Sequence, residues 1–300
     1  MGMRKKLLGE EHPETITSMS YLASTFWNQG RWNEAEQLQV KVMDMRKKLL
    51  GVEHSETITC MSDLASTYWN QERWNEAEQL YIQVMDMRKN LLGAEHPETI
   101  TSMSYLASTY WNQGRWNEAE QLQVEVIDMR MRLLGAEHPE TVTSMSDLAS
   151  TYWNQGRWNE TEQLQIKVMD TRKKLLGAEH PETISSTSYL ASTYWNQGRW
   201  NEAEQLYIQV MDMRKKLLGA EHPETITSMS DLASTYWNQG RWYETEKLDK
   251  QVIDVRKKLL SASECHGFAN PRGLQVRVGM GVGAGWHFAT PRKSALLGKG

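Results

Sequence analysis

Six histidines, His12, His54, His96, His138, His180 and His222, recur along the chain, and each step, such as His12 to His54, is 42 residues. A glutamate precedes every one, as in Glu11-His12 and Glu53-His54. An imidazole beside a carboxylate suggests two chemistries, metal ligation and general acid–base transfer. The spacing argues against both. A zinc ion holds its ligands at about 2 Å, whereas these imidazoles come one per unit, each in its own joint. An acid–base pair needs a cleft that also gathers a nucleophile and an orienting group, and the same few polar residues return six times without such a cluster. The expectation is no metal, no cofactor and no catalysis, with the histidines serving as caps or joints. Cys60 fills a position that is Ser18, Ser102, Ser144, Ser186 or Ser228 in the other units, and Cys265 stands apart. Two such cysteines are no disulfide framework and suit a reducing compartment. The run Gly279-x-Gly281-x-Gly283-x-Gly285 follows no clear strand and opens no helix, so it is not read as a dinucleotide loop.

A second set of residues has the chemistry of recognition. At about 100° per residue on a helix, Thr17, Tyr21, Ser24 and Asn28 fall on one line. The line returns as Thr59, Asp63, Ser66 and Asn70, then Thr101, Tyr105, Ser108 and Asn112, and again around Asp147 and Asn154, Tyr189 and Asn196, and Asp231 and Asn238. One position alternates between tyrosine and aspartate. Aromatic faces can hold apolar side chains, amides can bond a peptide backbone, and aspartates favour a ligand carrying Lys or Arg. Duplication of a two-repeat unit would copy the same alternation without selecting it. Tyr81 and Tyr207 replace Gln39, Gln123 and Gln165 on a different element, so variation is not confined to this line.

The elements that carry these residues are legible in each unit. Pro13 suits a first helical position and Glu14 the first turn. Ile16, Met19, Leu22, Ala23 and Phe26 recur at three- and four-residue steps, giving an apolar stripe opposite the polar line. Gly30 supplies the left-handed residue favoured at a helix end. Glu72 takes that glycine's place in the second unit and should cost on the order of 1 kcal/mol if its φ is positive. A second helix runs from about Trp32 to Leu50, burying Trp32, Ala35, Leu38, Val42, Met45 and Leu49, with Arg46, Lys47 and Lys48 complementing its dipole. Gly51 breaks it. The Trp32 series is read as core and the Trp27 series as packing at the stripe edge. Neither helix buries its stripe alone, so neighbouring hairpins must stack.

Composition agrees with an elongated array. Hydrophobic residues make up 39% of the chain, a low share that suits a molecule with much surface. The formal charge of −4 is unevenly spread. Residues 261–300 carry Arg272, Arg277, Arg292, Lys293 and Lys299 against Glu264, while residues before them hold 29 basic and 37 acidic side chains. No basic stripe runs through the repeats, so nucleic acid is not the expected partner. No apolar stretch is long enough to span a bilayer, the first residues lack a signal-peptide run, and the expected location is cytoplasmic. Residues 1–9 match the end of a unit, since Met3-Arg4-Lys5-Lys6-Leu7-Leu8-Gly9 parallels Met45 to Gly51. The expected organisation is an array over 1–260, comprising this half unit and six repeats starting near 12, 54, 96, 138, 180 and 222. Residues 261–300 are expected to form a disordered tail.

The pattern Leu22-Ala23-x-x-Phe26-x-x-x-Gly30-x-Trp32-x-x-Ala35 resembles the tetratricopeptide repeat (TPR). The 42-residue period and the Leu-Gly-x-x-His-Pro-x-Thr joint resemble the long variant of kinesin light chains, which is similar to the sensor arrays of fungal NLR-like receptors. The resemblance implies an all-α, right-handed solenoid of antiparallel helix pairs whose first helices line a concave peptide-binding groove. It implies a non-enzymatic scaffold with a protein or peptide partner, in one of two settings: a cargo adaptor or the sensor of an NB-ARC or NACHT receptor. The heptad coiled coil of the former and the P-loop of the latter are not found in this sequence. Unpaired terminal repeats add the expectation of self-association through the ends.

Overall fold

The computed structural model describes residues 9–265. Of the expected half unit only Gly9 is described, and of the expected tail only 261–265; the rest of both lies outside the described residues. Twelve helices fill the described chain, with no strand among those residues. They form six pairs: α1 (Pro13–Asn28) with α2 (Trp32–Leu50), α3 (Ser55–Asn70) with α4 (Trp74–Leu92), and α5 (Pro97–Asn112) with α6 (Trp116–Leu134). The series continues with α7 (Pro139–Asn154) and α8 (Trp158–Leu176), α9 (Pro181–Asn196) and α10 (Trp200–Leu218), and α11 (Pro223–Asn238) and α12 (Trp242–Cys265). Each helix packs mainly on the helices before and after it in sequence, within a pair and across each joint. This nearest-neighbour packing makes a solenoid of stacked helix pairs.

Local chemistry sets the helix ends. His12 is the N-cap of α1, and its Nδ1 accepts the Glu14 N–H at 3.3 Å. His54, His96, His138, His180 and His222 cap in the same way. The histidines are thus caps, as their spacing implied. At the other end Gly30 has φ +72°, the Gly30 N–H reaches Trp27 O and the Arg31 N–H reaches Phe26 O, both at 2.9 Å. That is a Schellman ending. Glu72 adopts φ +61° at the equivalent place and keeps the same two bonds.

The apolar stripes meet as a series of small clusters, some within a pair and some across a joint, with no central core among the described residues. Ala65, Ala77, Tyr81 and Leu106 form one such cluster from α3, α4 and α5. Burying each cluster removes apolar surface worth about 25 cal/mol per Å² from water, so stability accumulates joint by joint. Threonine contributes as well: Thr57 is fully buried and its hydroxyl donates to Gly51 O at 2.8 Å, stitching α3 to the end of α2.

Three expectations change. Leu49, assigned to the buried face, is 50% exposed, and Leu91, Leu133, Leu175 and Leu217 repeat this. The second helices of the first five pairs are 19 residues long against 16 for the first, so their last turn outruns the surface they pack on. The Trp32 series is half-buried at best, and Trp242 is 57% exposed. In place of core packing it meets the other tryptophan series edge to face, as in Trp69–Trp74 at 5.4 Å and 76°. Finally, α12 continues to Cys265, past the expected boundary at 260, because Ser261 stands where Gly219 ends α10.

Candidate functional site: the exposed row of the first helices

Most polar residues of each repeat are consumed in the joints. Glu36 of α2 accepts from Gln71 Nε2 and from Arg73 Nη1, each at 2.9 Å. Arg73 also bonds Glu76 at 2.9 Å and lies over the Tyr68 ring at 4.2 Å. The same clamp returns at Glu78–Gln113–Arg115, Glu120–Gln155–Arg157, Glu162–Gln197–Arg199 and Glu204–Gln239–Arg241. Charge-assisted, forked bonds of this type are the stronger kind. Burial raises the Glu120 carboxyl, but bonds from Gln155 and Arg157 outweigh it and hold the group below its ordinary value.

A second tie lies nearer the row. Arg88 of α4 has a side chain only 10% exposed, donates to Ser102 Oγ at 2.8 Å and stands 3.3 Å from the Glu98 carboxylate. Arg130, Arg172 and Arg214 repeat the arrangement with Ser144, Ser186 and Ser228. Arg46 meets Cys60 Sγ at 3.2 Å and Glu56 at 3.3 Å, so Cys60 substitutes for a serine acceptor. Sequence reasoning treated Arg46 as a dipole partner at a helix end and missed the tie. The signal was its unbroken return in every unit, while the neighbouring Lys47 and Lys48 positions vary.

The row itself stays at the surface. Asp63, Asn196, Ser24 and Asn28 are exposed, as is Tyr21 (72%), whereas Thr17, Asn70, Tyr105, Asn112, Asp147, Asn154, Tyr189, Asp231 and Asn238 are half-buried. Several members already have local partners. The amides of Asn70, Asn112, Asn154, Asn196 and Asn238 each donate to a carbonyl four residues back, as Asn112 Nδ2 does to Ser108 O at 2.7 Å. Thr17 and Ser24 likewise donate to their own helix. Tyr105 stacks on Tyr81 of the preceding pair, centroids 5.5 Å apart.

The aspartates differ. Among the described residues no hydrogen bond reaches the Asp63, Asp147 or Asp231 carboxylates. Burial pushes the Asp147 carboxyl up to about 7, against the pull of Arg130 and Arg172. It pushes Asp231 up to about 6, against Arg214, and moves Asp63 upward against Arg46 and Arg88. A carboxylate that water still touches, yet whose surroundings penalise its charge, sits among protein walls at short range. A narrow cleft of about 30 Å³ opens among α7, α8 and α9, lined by Ser146, Ala149, Ser150, Trp153, Gln165, Val168, Ser186, Tyr189 and Ser192; Asp147 follows Ser146 in sequence but does not line it. No group of three His, Cys, Asp or Glu among the described residues comes together as a metal site.

An all-α array of stacked helix pairs, with one polar row repeated along its first helices, defines a repeat solenoid of the scaffold class. Two family models described as tetratricopeptide repeat match it, one over residues 14–90, 56–131, 99–160 and 184–258 and the other over 141–182. The chain belongs to the tetratricopeptide repeat family. It is similar to a Podosopora anserina protein described as a kinesin light chain with nearly identical TPR-like repeats, at 31% identity and TM-score 0.63, over 69% of this chain and 98% of that one. BtubC (BKLC) from P. vanneervenii shares the fold at 16% identity and TM-score 0.64, over 87% of this chain and 98% of that one. So does a Pyrococcus horikoshii signal transduction ATPase (STAND) protein with a TPR sensor, at 14% identity and TM-score 0.68, over 88% of this chain and 40% of that one. A search of curated proteins found no match. No described helix is long and apolar enough to cross a membrane.

Proposed function

We propose that this chain is a non-enzymatic, cytoplasmic protein-interaction scaffold that binds an extended peptide along the row of its first helices. One observation carries the reading. Clamps, ties and clusters use up most of each repeat in stacking, while the row at Tyr21, Asp63, Tyr105, Asp147, Tyr189 and Asp231 remains at the surface in every unit. A surface repeated along a stack suits a partner that is itself extended. The test is capture of partners by the intact chain against variants that obstruct the row, Ser108→Arg and Ser150→Arg, with Gln121→Arg on an exposed second-helix position as control. Partners lost with the row variants and kept by the control support the reading. Partners kept by all three overturn it.

Two settings fit this activity. The 31% identity to a protein described as a kinesin light chain supports a cargo-adaptor role. The near identity of successive repeats supports the sensor end of an NLR-like receptor, since copied arrays change specificity by gaining or losing units. Coding sequence upstream of Met1 decides between them: a coiled coil for the adaptor, a P-loop for the receptor. Self-association through the end repeats is a further reading, supported by exposed Tyr21 in the first pair and Trp237 and Tyr243 in the last.

A further inference from the structure

The charges along the row decide what kind of partner it fits. Five arginines, Arg46, Arg88, Arg130, Arg172 and Arg214, lie beneath it, and each stands within 3.4 Å of its own carboxylate: Glu56, Glu98, Glu140, Glu182 or Glu224. Those couples cancel. What remains is Asp63, Asp147 and Asp231, three carboxylates that feel these arginines only through space and accept no hydrogen bond among the described residues. Glu140, Ser144 and Asp147 stand at i, i+4 and i+7, one line of α7, so the Arg130 couple and the aspartate share a face. Arg130 makes its ion pair with Glu140 and its hydrogen bond with Ser144, so it acts on Asp147 only through space and leaves that carboxylate's acceptor sites open.

In the repeat of Asp147 the second helix carries Gln165 in place of a tyrosine. Where Tyr81 and Tyr207 occupy the second-helix position, their hydroxyls bond Ser66 at 2.9 Å and Ser192 at 2.8 Å. At Gln165 the side chain turns instead to Thr193, whose hydroxyl it accepts at 2.6 Å. Ser150 has no tyrosine against it, and the cleft opens there. Its walls are mainly apolar, with Ala149, Trp153 and Val168 beside the serine hydroxyls, so the charged end of a ligand belongs at the row carboxylates and not in the cleft. An ammonium or guanidinium group carries several N–H donors and no acceptor. It can satisfy a bare carboxylate of the row, whereas a carboxylate ligand would meet a net negative surface.

We propose that the groove takes a polypeptide bearing lysine or arginine side chains, which engage Asp63, Asp147 and Asp231 in every second repeat. This rests on the reading of the row as the binding surface. Three fluorescein-labelled Gly/Ser peptides of equal length test it, with four lysines, four glutamates or four glutamines at the same places and one photo-crosslinking residue. They are titrated against the intact chain, against Asp63→Asn/Asp147→Asn/Asp231→Asn, and against Asp44→Asn/Asp170→Asn/Asp254→Asn, which removes the same charge from exposed second-helix positions. The expected result is tightest binding of the lysine peptide, weakened at least about tenfold by the row variant and less than about twofold by the control. Equal losses in both variants, or no binding of the lysine peptide, overturn the proposal. Preference for the glutamate peptide, crosslinked to the first helices, overturns the cation site while the row stands as the binding surface. Crosslinks confined to the second helices overturn both. If the triple variant fails to fold, Asp147→Asn alone carries the comparison.

Discussion

Two single residues carry energetic consequences that run against habit. Glu72 holds φ +61° where its counterparts are glycine. A side chain with a Cβ pays about 1 kcal/mol there, and the two Schellman bonds persist around it. Glu72→Gly should therefore stabilise the second pair by about 1 kcal/mol, read as a shift in denaturant midpoint at unchanged slope. Asp147 is the opposite of the usual surface carboxylate. Its folded pKa lies near 7 through burial, above the ordinary unfolded value of about 3.9. The native state then binds more protons than the unfolded state between these values, and stability falls as pH rises through that window. Arg130 and Arg172 face the same carboxyl and limit the effect. Asp147→Asn should raise the melting temperature at pH 8 and leave it unchanged near pH 4. Equal shifts at both pH values would show that the carboxyl titrates normally. The three aspartates of the row were legible in the sequence as an alternation. Their lack of donors was not, because that depends on arginines contributed by neighbouring helices.

At the level of elements, the joint between pairs is held by geometry more than by the number of ion pairs. Arg157 forks between Glu120 at 2.8 Å and Glu160 at 2.9 Å and lies over the Tyr152 ring at 4.1 Å. Lys174 instead reaches Glu137 from a side chain 65% exposed. Planar guanidinium recognition is lost on substitution by lysine, whereas exposed lysine pairs contribute little. Arg157→Lys should cost about 1 kcal/mol and lower hydrogen-exchange protection in α6 and α7 first. Lys174→Ala should stay within about 0.5 kcal/mol. Matching losses in the two variants would contradict the clamp. The Gln-x-Arg-Trp-x-Glu turn that builds it returns in all six units, a regularity visible in the sequence. Its partner, a glutamate 37 residues upstream of the arginine, was not, since nothing local fixes which helix stacks on which turn.

Over the described residues the molecule is a one-dimensional stack, and its behaviour follows from nearest neighbours. Its end repeats leave Tyr21, Trp242 and Tyr243 exposed, side chains whose burial on a second copy removes much apolar area from water. The 300-residue chain should accordingly show a mass that rises with concentration in light scattering, reduced by Tyr21→Glu and Tyr243→Glu together. A constant monomer mass across the series would rule this out. Considered alone, the sequence determined the period, the helix pairs, the histidine and proline starts and the glycine ends, because each of these is local chemistry repeated in five or all six units. The tertiary structure alone decided that Leu49 and its copies stay half in water, that Arg46, Arg88, Arg130, Arg172 and Arg214 are drawn into the joints, and that Tyr81 fills a joint where Gln165 leaves a cleft. A helical wheel shows which way a side chain points. How far the neighbouring helix extends to meet it is set only when the pairs stack.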